Sequence, residues 1–290
     1  MHNRRLSPCK VNLLLNVLRR RSDGFHELET VLQPVSINDE LEFEHGRSGI
    51  ELTCSDPRLP VDERNLVHRA GTAFLAETGI VEGARIHLEK HIPMEAGLGG
   101  GSSNAASTLL GLNELFDHPL DSAQLQRLAA LLGSDVVFFL QDRPAIATGR
   151  GELVEWVEPF SVLRGCGLLL VHPGFGISTP WAYRALARFP KALQGEPGRA
   201  VKLVQSLRAN DLSRAVAQFY NSLEAPVLEK YPWLRLSQDF LREEGAVATL
   251  MSGSGSTTFA LSTSLPQAER LRERLLAKFG STCWTATVSL

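Results

Sequence analysis

The sequence has few cysteines, and none of them stands in a metal-binding pattern. The four among its 290 residues are Cys9, Cys54, Cys166 and Cys283, far apart and without a CxxC pair. Structural zinc sites and disulfide-stabilised scaffolds need closely spaced or numerous cysteines. The pattern argues against both and indicates a reducing cytoplasm.

Long apolar runs are also missing. No run reaches the roughly 18 apolar residues that a membrane-spanning helix needs. The apolar segment 11–18 follows Arg4 and Arg5, but it carries Asn12 and Asn16 and ends in three arginines instead of a cleavage site. We predict a mature strand here, with no signal peptide and no membrane association.

Neither sign of charge is in excess. Thirty basic and 32 acidic residues give a formal charge of -2, so no overall field attracts nucleic acid. The composition, 43% hydrophobic and 21% charged, is that of a globular chain with a large core. We expect small molecules as partners, and a monomer and a homodimer both stay open.

The element pattern predicts an α+β protein of two domains, 1–159 and 160–290. In the first domain, strands around 10–18, 27–35, 40–44, 50–53 and 86–88 alternate with helices at 65–79, 102–116 and 122–132. In the second, the strands 168–172, 246–251, 257–261 and 283–288 and the helix 267–279 surround a helical region, 179–244. Apart from that region, the order is the split βαβ order of a ferredoxin-like domain.

A glycine-rich loop, IPMEAGLGGGSSNAAS from Ile92 to Ser107, lies between a predicted strand and a predicted helix. It has four glycines in five positions, followed by Ser102 and Ser103. Uncovered backbone amides at a helix N-terminus favour a phosphate, whereas the alternative is a flexible turn. The loop matches neither GxxxxGK[ST] nor GxGxxG, so it is a third type of phosphate loop.

The N-terminal strand carries a polar pattern in SPCKVNLLLNV. Period-2 alternation places Lys10, Asn12 and Asn16 on one face and apolar residues on the other. A polar face can line a site. Taken alone, however, Lys10 favours the alternative of a strand face exposed to solvent.

Two further segments have both a structural and a functional interpretation. Asp135 follows a helix stop in LLGSDVVFFL, where it can cap a buried helix or act in catalysis. In MSGSGSTTFAL, Gly253 and Gly255 separate two strands, either as a tight hairpin or as a backbone that closely approaches a ligand.

Together, the polar strand, the PxxxGLGGGSSN loop and the late SGSGST turn resemble the three motifs of the GHMP small-molecule kinases. Further segments resemble one branch of this superfamily, which acts in non-mevalonate isoprenoid precursor synthesis. They are RSDGFHELET, GSDVVFFL, ATGRGE, HPGFGISTPWAY and NSLEAPVLEKYPWL. The resemblance spans nearly the whole chain and implies the two-domain GHMP kinase fold.

The resemblance implies transfer of the ATP γ-phosphate to the 2-hydroxyl of 4-diphosphocytidyl-2-C-methyl-D-erythritol. It makes Asp135 the base and Lys10 the group that orients the acceptor and offsets charge. The implied ATP-binding residues are Asn65, Pro93, Met94, Glu95, Ala96, Gly97, Leu98, Gly99, Gly100, Gly101, Ser102 and Ser103. Mg²⁺ is implied as a cofactor, with Ser103 as a candidate ligand.

The implied acceptor-binding residues are Asn12, Phe25, His26, Thr179, Tyr183 and Gly253. Phe25 and Tyr183 face the two sides of the cytosine, and His26 reads its polar edge. Without the resemblance, Phe25 would be interpreted as core packing.

The sequence departs from the family pattern at four positions. Cys9 stands where alanine is usual and Glu95 where a small residue is usual. Val137 replaces an expected proline, and Ser222 replaces a common aspartate. Glu95 is the most unfavourable of these, because a carboxylate near ATP phosphates opposes binding unless it points to solvent.

Three alternatives compete with this interpretation. A GHMP kinase for homoserine, mevalonate or a sugar would share the loop and the fold, but the DGFH turn and Tyr183 argue against it. A non-catalytic nucleotide-binding module would have lost Lys10 or Asp135. A dinucleotide oxidoreductase would need GxGxxG.

Overall fold

The computed structural model describes residues 3–290, which form two compact units. The first unit contains the chain up to Cys9 together with residues 37–92 and 99–142, and the second contains residues 10–36, 93–98 and 143–290. A domain boundary between residues 159 and 160 stays a prediction.

Two long strands contribute residues to both units. Strand β1 spans Asn3–Arg20 and β2 spans His26–Gly46, and they are neighbours joined by a tight turn. Gly24 has φ 87° in that turn, a conformation that glycine adopts without a Cβ clash. The predicted hairpin is therefore confirmed, but the two strands predicted at 27–35 and 40–44 are one.

The other elements of the first unit are two strands and four helices. They are β3 Ile50–Cys54, α1 Leu66–Thr78, β4 Gly83–Glu89, α2 Gly100–Leu115, α3 Ser122–Leu132 and α4 Ser134–Phe138. Strand β4 pairs antiparallel with β2 and parallel with β3.

Short-range capping signals set most of the helix ends in this unit. The Asn65 side chain accepts a hydrogen bond from the Val67 amide at the start of α1, and Gly79 ends that helix in the left-handed region. Helix α3 ends at Leu132 as predicted, with Gly133 as its C-cap. Helix α2 begins at Gly100, two residues before the predicted start, because Gly99 is its N-cap.

The core of the first unit lies between this sheet and the helices. Phe43 of β2 is fully buried, and a Cβ on Gly111 of α2 would lie 2.4 Å from its ring. Only glycine allows this close approach. Burying one large apolar side chain contributes about 1.5–3 kcal/mol.

The second unit holds the remaining elements. The strands are β5 Ala145–Gly149, β6 Leu153–Trp156, β7 Gly167–His172, β8 Tyr220–Asn221, β9 Ala248–Met251, β10 Thr258–Ser262 and β11 Trp284–Ser289. The helices are α5 Thr179–Ala185, α6 Pro190–Leu193, α7 Arg199–Arg208, α8 Leu212–Val216, α9 Glu224–Lys230, α10 Pro232–Glu243 and α11 Leu265–Phe279. Short 3₁₀ turns lie at Ser161–Leu163 and Leu186–Arg188.

Two differences from the sequence prediction stand out in this unit. Strands β5 and β6 were not predicted, and β8 interrupts the predicted helical region. Strand β5 pairs antiparallel with β2, and β8 pairs parallel with β1.

The C-terminal sheet has the predicted ferredoxin-like arrangement. Its four strands have the order β11-β7-β10-β9, and all neighbours are antiparallel. Every residue of β7 is buried, because β7 is a central strand against which α11 packs. Within residues 3–290, every helix is too short or too polar to cross a membrane.

Candidate active site

Lys10 is a buried cation. Its side chain, 3% exposed on β1, donates from Nζ to Oδ1 of Asn12 at 2.6 Å and to the Gly97 carbonyl oxygen at 2.8 Å. Asn12 and Asn16 are buried as well. A solvent-facing strand is therefore the wrong interpretation, and the polar face of β1 is buried inside the protein.

The SGSGST turn lies against Lys10. Gly253 has φ 57°, and a Cβ placed on it would be 3.2 Å from Lys10 Nζ and 3.5 Å from Asn12 Oδ1. Ser252 Oγ donates to the Gly97 carbonyl at 2.9 Å. A Cβ on Gly97 would lie 2.1 Å from the Ser252 carbonyl oxygen, so no other residue fits there. The fold thus brings together Lys10, Asn12, Gly97 and Gly253.

The first half of the glycine loop, Pro93 to Leu98, is held by backbone hydrogen bonds. The Lys10 amide donates to the Leu98 carbonyl at 2.9 Å, and the Thr257 amide donates to the Ala96 carbonyl at 3.1 Å. Pro93 and Met94, which precede these anchors, are half-buried. This half of the loop is a fixed segment, which argues against a flexible linker.

Glu95, the most unfavourable departure, is exposed. It has φ 52°, and its side chain lies over Gly176, where a Cβ would come within 2.6 Å of Glu95 Oε2. Glu95 therefore has the solvent exposure that limits repulsion of an anion.

The second half of the glycine loop opens α2 in the first unit. Gly99 is the N-cap with φ 73°, and no side chain caps the helix. Gly100, Gly101 and Ser102 form its first turn, where free amides and the positive end of the helix dipole favour an anion. Ser103 is fully buried, and its Oγ lies 2.8 Å from Ser7 Oγ.

A buried ion pair, missed in the sequence, supports this half of the loop. Asp39 is 0% exposed and pairs with Lys90, whose ammonium also donates to Asn104 Oδ1 at 3.2 Å. The His91 and Ile92 amides donate to Asp39 Oδ1 at 2.8 and 2.9 Å. Asp39 and Lys90 lie far apart in the sequence, and no local motif signals their pairing.

Asp135 and Asn65 belong to the first unit too. Gly133, not Asp135, is the N-cap of α4, so the capping interpretation of Asp135 is wrong. Asp135 is partly exposed in the first turn of α4, which packs against α2 and α3. The Asn65 side chain caps α1 by accepting from the Val67 amide, and its Nδ2 donates to the Pro60 carbonyl at 2.8 Å.

Of the predicted cytosine residues, Phe25 and His26 lie at the end of the tight turn between β1 and β2, and Tyr183 lies on α5. The His26 and Tyr183 rings are stacked, with centroids 5.0 Å apart. Phe25 is 54% exposed, so core packing is the wrong interpretation, and the Arg150 guanidinium lies 4.8 Å from its ring centroid. Burial, reinforced by the charge of Arg20, lowers the pKa of His26, so its imidazole is neutral at about pH 7.

Thr179 lies on α5, the helix that also carries Tyr183. It is the first residue of that helix, it is exposed, and its hydroxyl lies 2.7 Å from that of Ser254 in the SGSGST turn. The start of α5 is therefore linked to the turn beside Lys10.

The other departures fit the fold. Ser222 is fully buried and accepts a hydrogen bond from the Val17 amide at 2.9 Å, a role that an aspartate could also fill. Cys9 is a fully buried small side chain in β1, and Val137 is buried within α4.

Supporting residues in the second unit were also missed. Thr30 accepts from Asn12 Nδ2 at 2.9 Å, and Asn221 donates to the backbone of the SGSGST turn. Asn221 lies in a recognised motif, NSLEAPVLEKYPWL, but its partners depend on tertiary structure.

Two families match the chain and define its class. The family described as GHMP kinases N terminal domain matches residues 65–143, and GHMP kinases C terminal matches residues 200–281. The chain thus has both parts of a GHMP kinase, as the three motifs predict.

Curated relatives narrow this class. A 4-diphosphocytidyl-2-C-methyl-D-erythritol kinase of Pelotomaculum thermopropionicum is 40% identical, over 93% of this chain and 92% of the relative. The kinase of the same name from Syntrophus aciditrophicus is also 40% identical, over 95% of each chain. The chain belongs to the 4-diphosphocytidyl-2-C-methyl-D-erythritol kinase family. It is a kinase, with ATP as co-substrate, which confirms the predicted family and enzyme class.

Solved structures agree. A crystal structure of 4-(cytidine 5'-diphospho)-2C-methyl-D-erythritol kinase matches with a TM-score of 0.82 and 36% identity, over 99% of this chain and all of the other. A homoserine kinase from Cytophaga hutchinsonii matches with a TM-score of 0.78 and 22% identity, over 100% of this chain and 94% of the other. The latter supports the fold alone.

Proposed function

We propose that the enzyme transfers the γ-phosphate of ATP to the 2-hydroxyl of 4-diphosphocytidyl-2-C-methyl-D-erythritol, in the non-mevalonate pathway to isoprenoid precursors. The observation that carries the proposal is the buried Lys10 ammonium between Asn12, Gly97 and Gly253. A cation held at this precision beside a phosphate-type loop suits phosphoryl transfer, which depends on positioning and charge stabilisation.

The glycine loop is proposed to hold the ATP phosphates. Amides of Gly99 to Ser102 lie at the positive end of α2, and Pro93 to Leu98 is fixed by β1 and the SGSGST turn. Asn65 is proposed to lie near the adenine. Each backbone amide of such a loop donates without competition from a side chain.

A Mg²⁺ ion is compatible with the glycine loop if the nucleotide supplies most of the ligands of the ion. Within residues 3–290, no group of three or more His, Cys, Asp or Glu side chains could hold a metal, so a dedicated protein cage is absent there. Mg²⁺ usually keeps few protein ligands and binds substrate phosphates, whose charge it neutralises. The hydroxyl of Ser103, the candidate ligand, is fully buried and paired with Ser7, so we assign most of the Mg²⁺ ligands to the nucleotide phosphates and water.

In the proposed reaction, Asp135 accepts the proton of the acceptor 2-hydroxyl. Lys10 orients the acceptor and offsets negative charge on the transferred group. Asp135 is partly exposed in the first turn of α4, which is compatible with contact to a substrate.

Recognition of the acceptor is assigned to the second unit. Phe25 and Tyr183 are proposed to face the two sides of the cytosine, and base–aromatic stacking contributes about 1–3 kcal/mol per base. A neutral His26 has one donor and one acceptor nitrogen, which suits the polar edge of cytosine. Asn12, Thr179 and Gly253 would contact the rest of the acceptor.

We also propose a cytoplasmic enzyme that acts on small molecules, as a monomer or a homodimer. Within residues 3–290 none of the four cysteines forms a disulfide, and burial raises the pKa of the Cys54, Cys166 and Cys283 thiols. Protonated thiols that are not joined in disulfides suit a reducing compartment.

The experiment that tests this function is ADP release measured with four acceptors in parallel. They are the cytidyl acceptor, homoserine, mevalonate and galactose, with Asp135→Asn as the background control. We expect turnover with the cytidyl acceptor and none above background with the others. Turnover of homoserine, mevalonate or galactose in its place would refute the proposal.

A further inference from the structure

The backbone of the SGSGST turn is held by one buried amide. Asn221 is 2% exposed, and its Nδ2 donates to the carbonyl oxygens of Met251 and Gly253, both at 2.7 Å. Its Oδ1 accepts from the Leu223 amide at 2.9 Å, which fixes the orientation of the side chain. All polar atoms of this side chain are therefore used, and two of its three hydrogen bonds fix the turn.

The backbone of Asn221 is attached to the strand that carries Lys10. Strand β8 pairs with β1, with Asn221 opposite Leu15, and the Ser222 amide donates to the Leu15 carbonyl at 2.8 Å. Lys10 and Asn12 lie on the same strand. Asn221 thus fixes the position of the SGSGST turn relative to β1.

The neighbouring helix reinforces this contact. Oε1 of Glu224, at the start of α9, accepts from the Met251 amide at 2.8 Å and from Gln238 Nε2 at 2.8 Å. Met251 is consequently held at both its N–H and its carbonyl. Its neighbours in the turn, Ser252 and Gly253, are those that reach Gly97 and Lys10.

We propose that Asn221 is a positioning residue for phosphoryl transfer, an inference that rests on the proposed role of Lys10 and its surroundings. It acts through Gly253, which it holds against the Lys10 ammonium and Asn12. Without the two hydrogen bonds, the turn can move away from Lys10 and from the Gly97 carbonyl. Small displacements of a catalytic group reduce turnover strongly.

The test compares Asn221→Ala with a matched control, Asn113→Ala. Asn113 is also a buried asparagine, 6% exposed, whose amide exchanges two hydrogen bonds with the Leu120 backbone in the first unit. Both variants lose buried hydrogen bonds, so both should lower Tm. With assays run well below both Tm values, we expect kcat to fall about 10- to 100-fold for Asn221→Ala and less than about twofold for Asn113→Ala.

The variant Asn221→Asp adds a second readout, the pH dependence of kcat, which a purely structural role of Asn221 would not change. Its carboxylate faces two carbonyl oxygens and cannot donate to them, whereas its protonated form restores one donor. We expect its kcat relative to wild type to recover severalfold as the pH is lowered from about 8 to about 6, since such a site raises the pKa of a carboxyl. Asn221→Ala should show no such recovery.

These measurements use whichever acceptor the wild-type enzyme phosphorylates. If that acceptor is not the cytidyl compound, the proposed function is wrong, but the comparison of Asn221→Ala with Asn113→Ala still tests the role of Asn221. Hydrogen exchange gives a readout without turnover: Asn221→Ala should speed exchange in segments 251–257 and 96–98 but not in segment 113–121. Equal kcat losses in the two alanine variants, or unchanged exchange at 251–257, would overturn the role of Asn221.

Discussion

Two buried lysines, one in each unit, have different surroundings. Lys90 is paired with Asp39, a fully buried carboxylate that also accepts from the His91 and Ile92 amides. Lys10 donates hydrogen bonds to Asn12 and to the Gly97 carbonyl, and the Gly253 backbone approaches its ammonium closely. The first environment consists of groups that support the chain before the glycine loop. The second consists of the loop and turn themselves.

These different surroundings predict different roles for the two lysines, one in stability and one in the reaction. A buried pair such as Lys90–Asp39 is costly to break, because each charge loses its compensation in a medium of low dielectric constant. Lys10 lies where three segments, β1, the glycine loop and the SGSGST turn, meet in one unit. We therefore expect Lys90 to control stability and Lys10 to control turnover.

Lys90→Met should have the largest effect of the variants considered. It leaves the Asp39 carboxylate buried without its cation, which costs about 3–5 kcal/mol of unfolding free energy. Urea unfolding followed by circular dichroism measures the loss.

A double variant checks the cause. Lys90→Met with Asp39→Asn removes both charges and should recover about 1 kcal/mol or more relative to Lys90→Met alone. A loss below about 1 kcal/mol in the single variant would show that the pair is not a major support.

Lys10→Met should act mainly on catalysis. If the ammonium offsets charge on the transferred group as proposed, its removal should cost about 10²- to 10³-fold in kcat. Steady-state kinetics below the measured Tm give the value. If Lys10→Met keeps kcat within about threefold of wild type, Lys10 has no catalytic role.

Phe25→Ala extends the comparison to an exposed side chain whose ring contacts the Arg150 guanidinium. Phe25 is 54% exposed, so its loss should barely change Tm, but the acceptor KM should rise about tenfold or more if the ring stacks on cytosine. Leu236→Ala is the matched control, because Leu236 is 58% exposed on α10. An unchanged acceptor KM for Phe25→Ala would remove Phe25 from the site.

His26 predicts the smallest effect, a dependence of the acceptor KM on pH. Because burial lowers its pKa from 6.5, His26 is neutral above that pH and becomes charged only as the pH falls through the lowered value. The acceptor KM should stay constant from about pH 8 to 7 and rise about three- to tenfold at lower pH. His26→Gln, which cannot titrate, should abolish this rise; a persisting rise would assign it to another group.

Much of the fold could be predicted because its signals are local. Asn65, Gly79 and Gly133 mark helix ends through their own backbone and side-chain chemistry, and the predicted helices 65–79 and 122–132 end at these signals. Strands β5 and β6 were missed since they are short and are stabilised by pairing with each other and with β2. The continuity of β2 was missed for a similar reason.

The residues of the candidate site were predicted more completely than the buried residues that hold them in place. Lys10, Asn12, Gly97 and Gly253 come from three separate motifs, and the structure brings these four together. Asp39 and Asn221 were not assigned roles, because each acts on backbone groups distant in sequence. No local pattern encodes those contacts.

The most direct test of the proposed chemistry is ³¹P NMR of the product formed from ATP and the cytidyl acceptor. The 2-hydroxyl is on a carbon that bears a methyl group and no hydrogen, so its phosphomonoester should give a new resonance without three-bond proton splitting. We predict this unsplit signal with wild type and its near absence with Asp135→Asn. A phosphomonoester signal split by carbon-bound protons would place the phosphate on another hydroxyl and contradict the account.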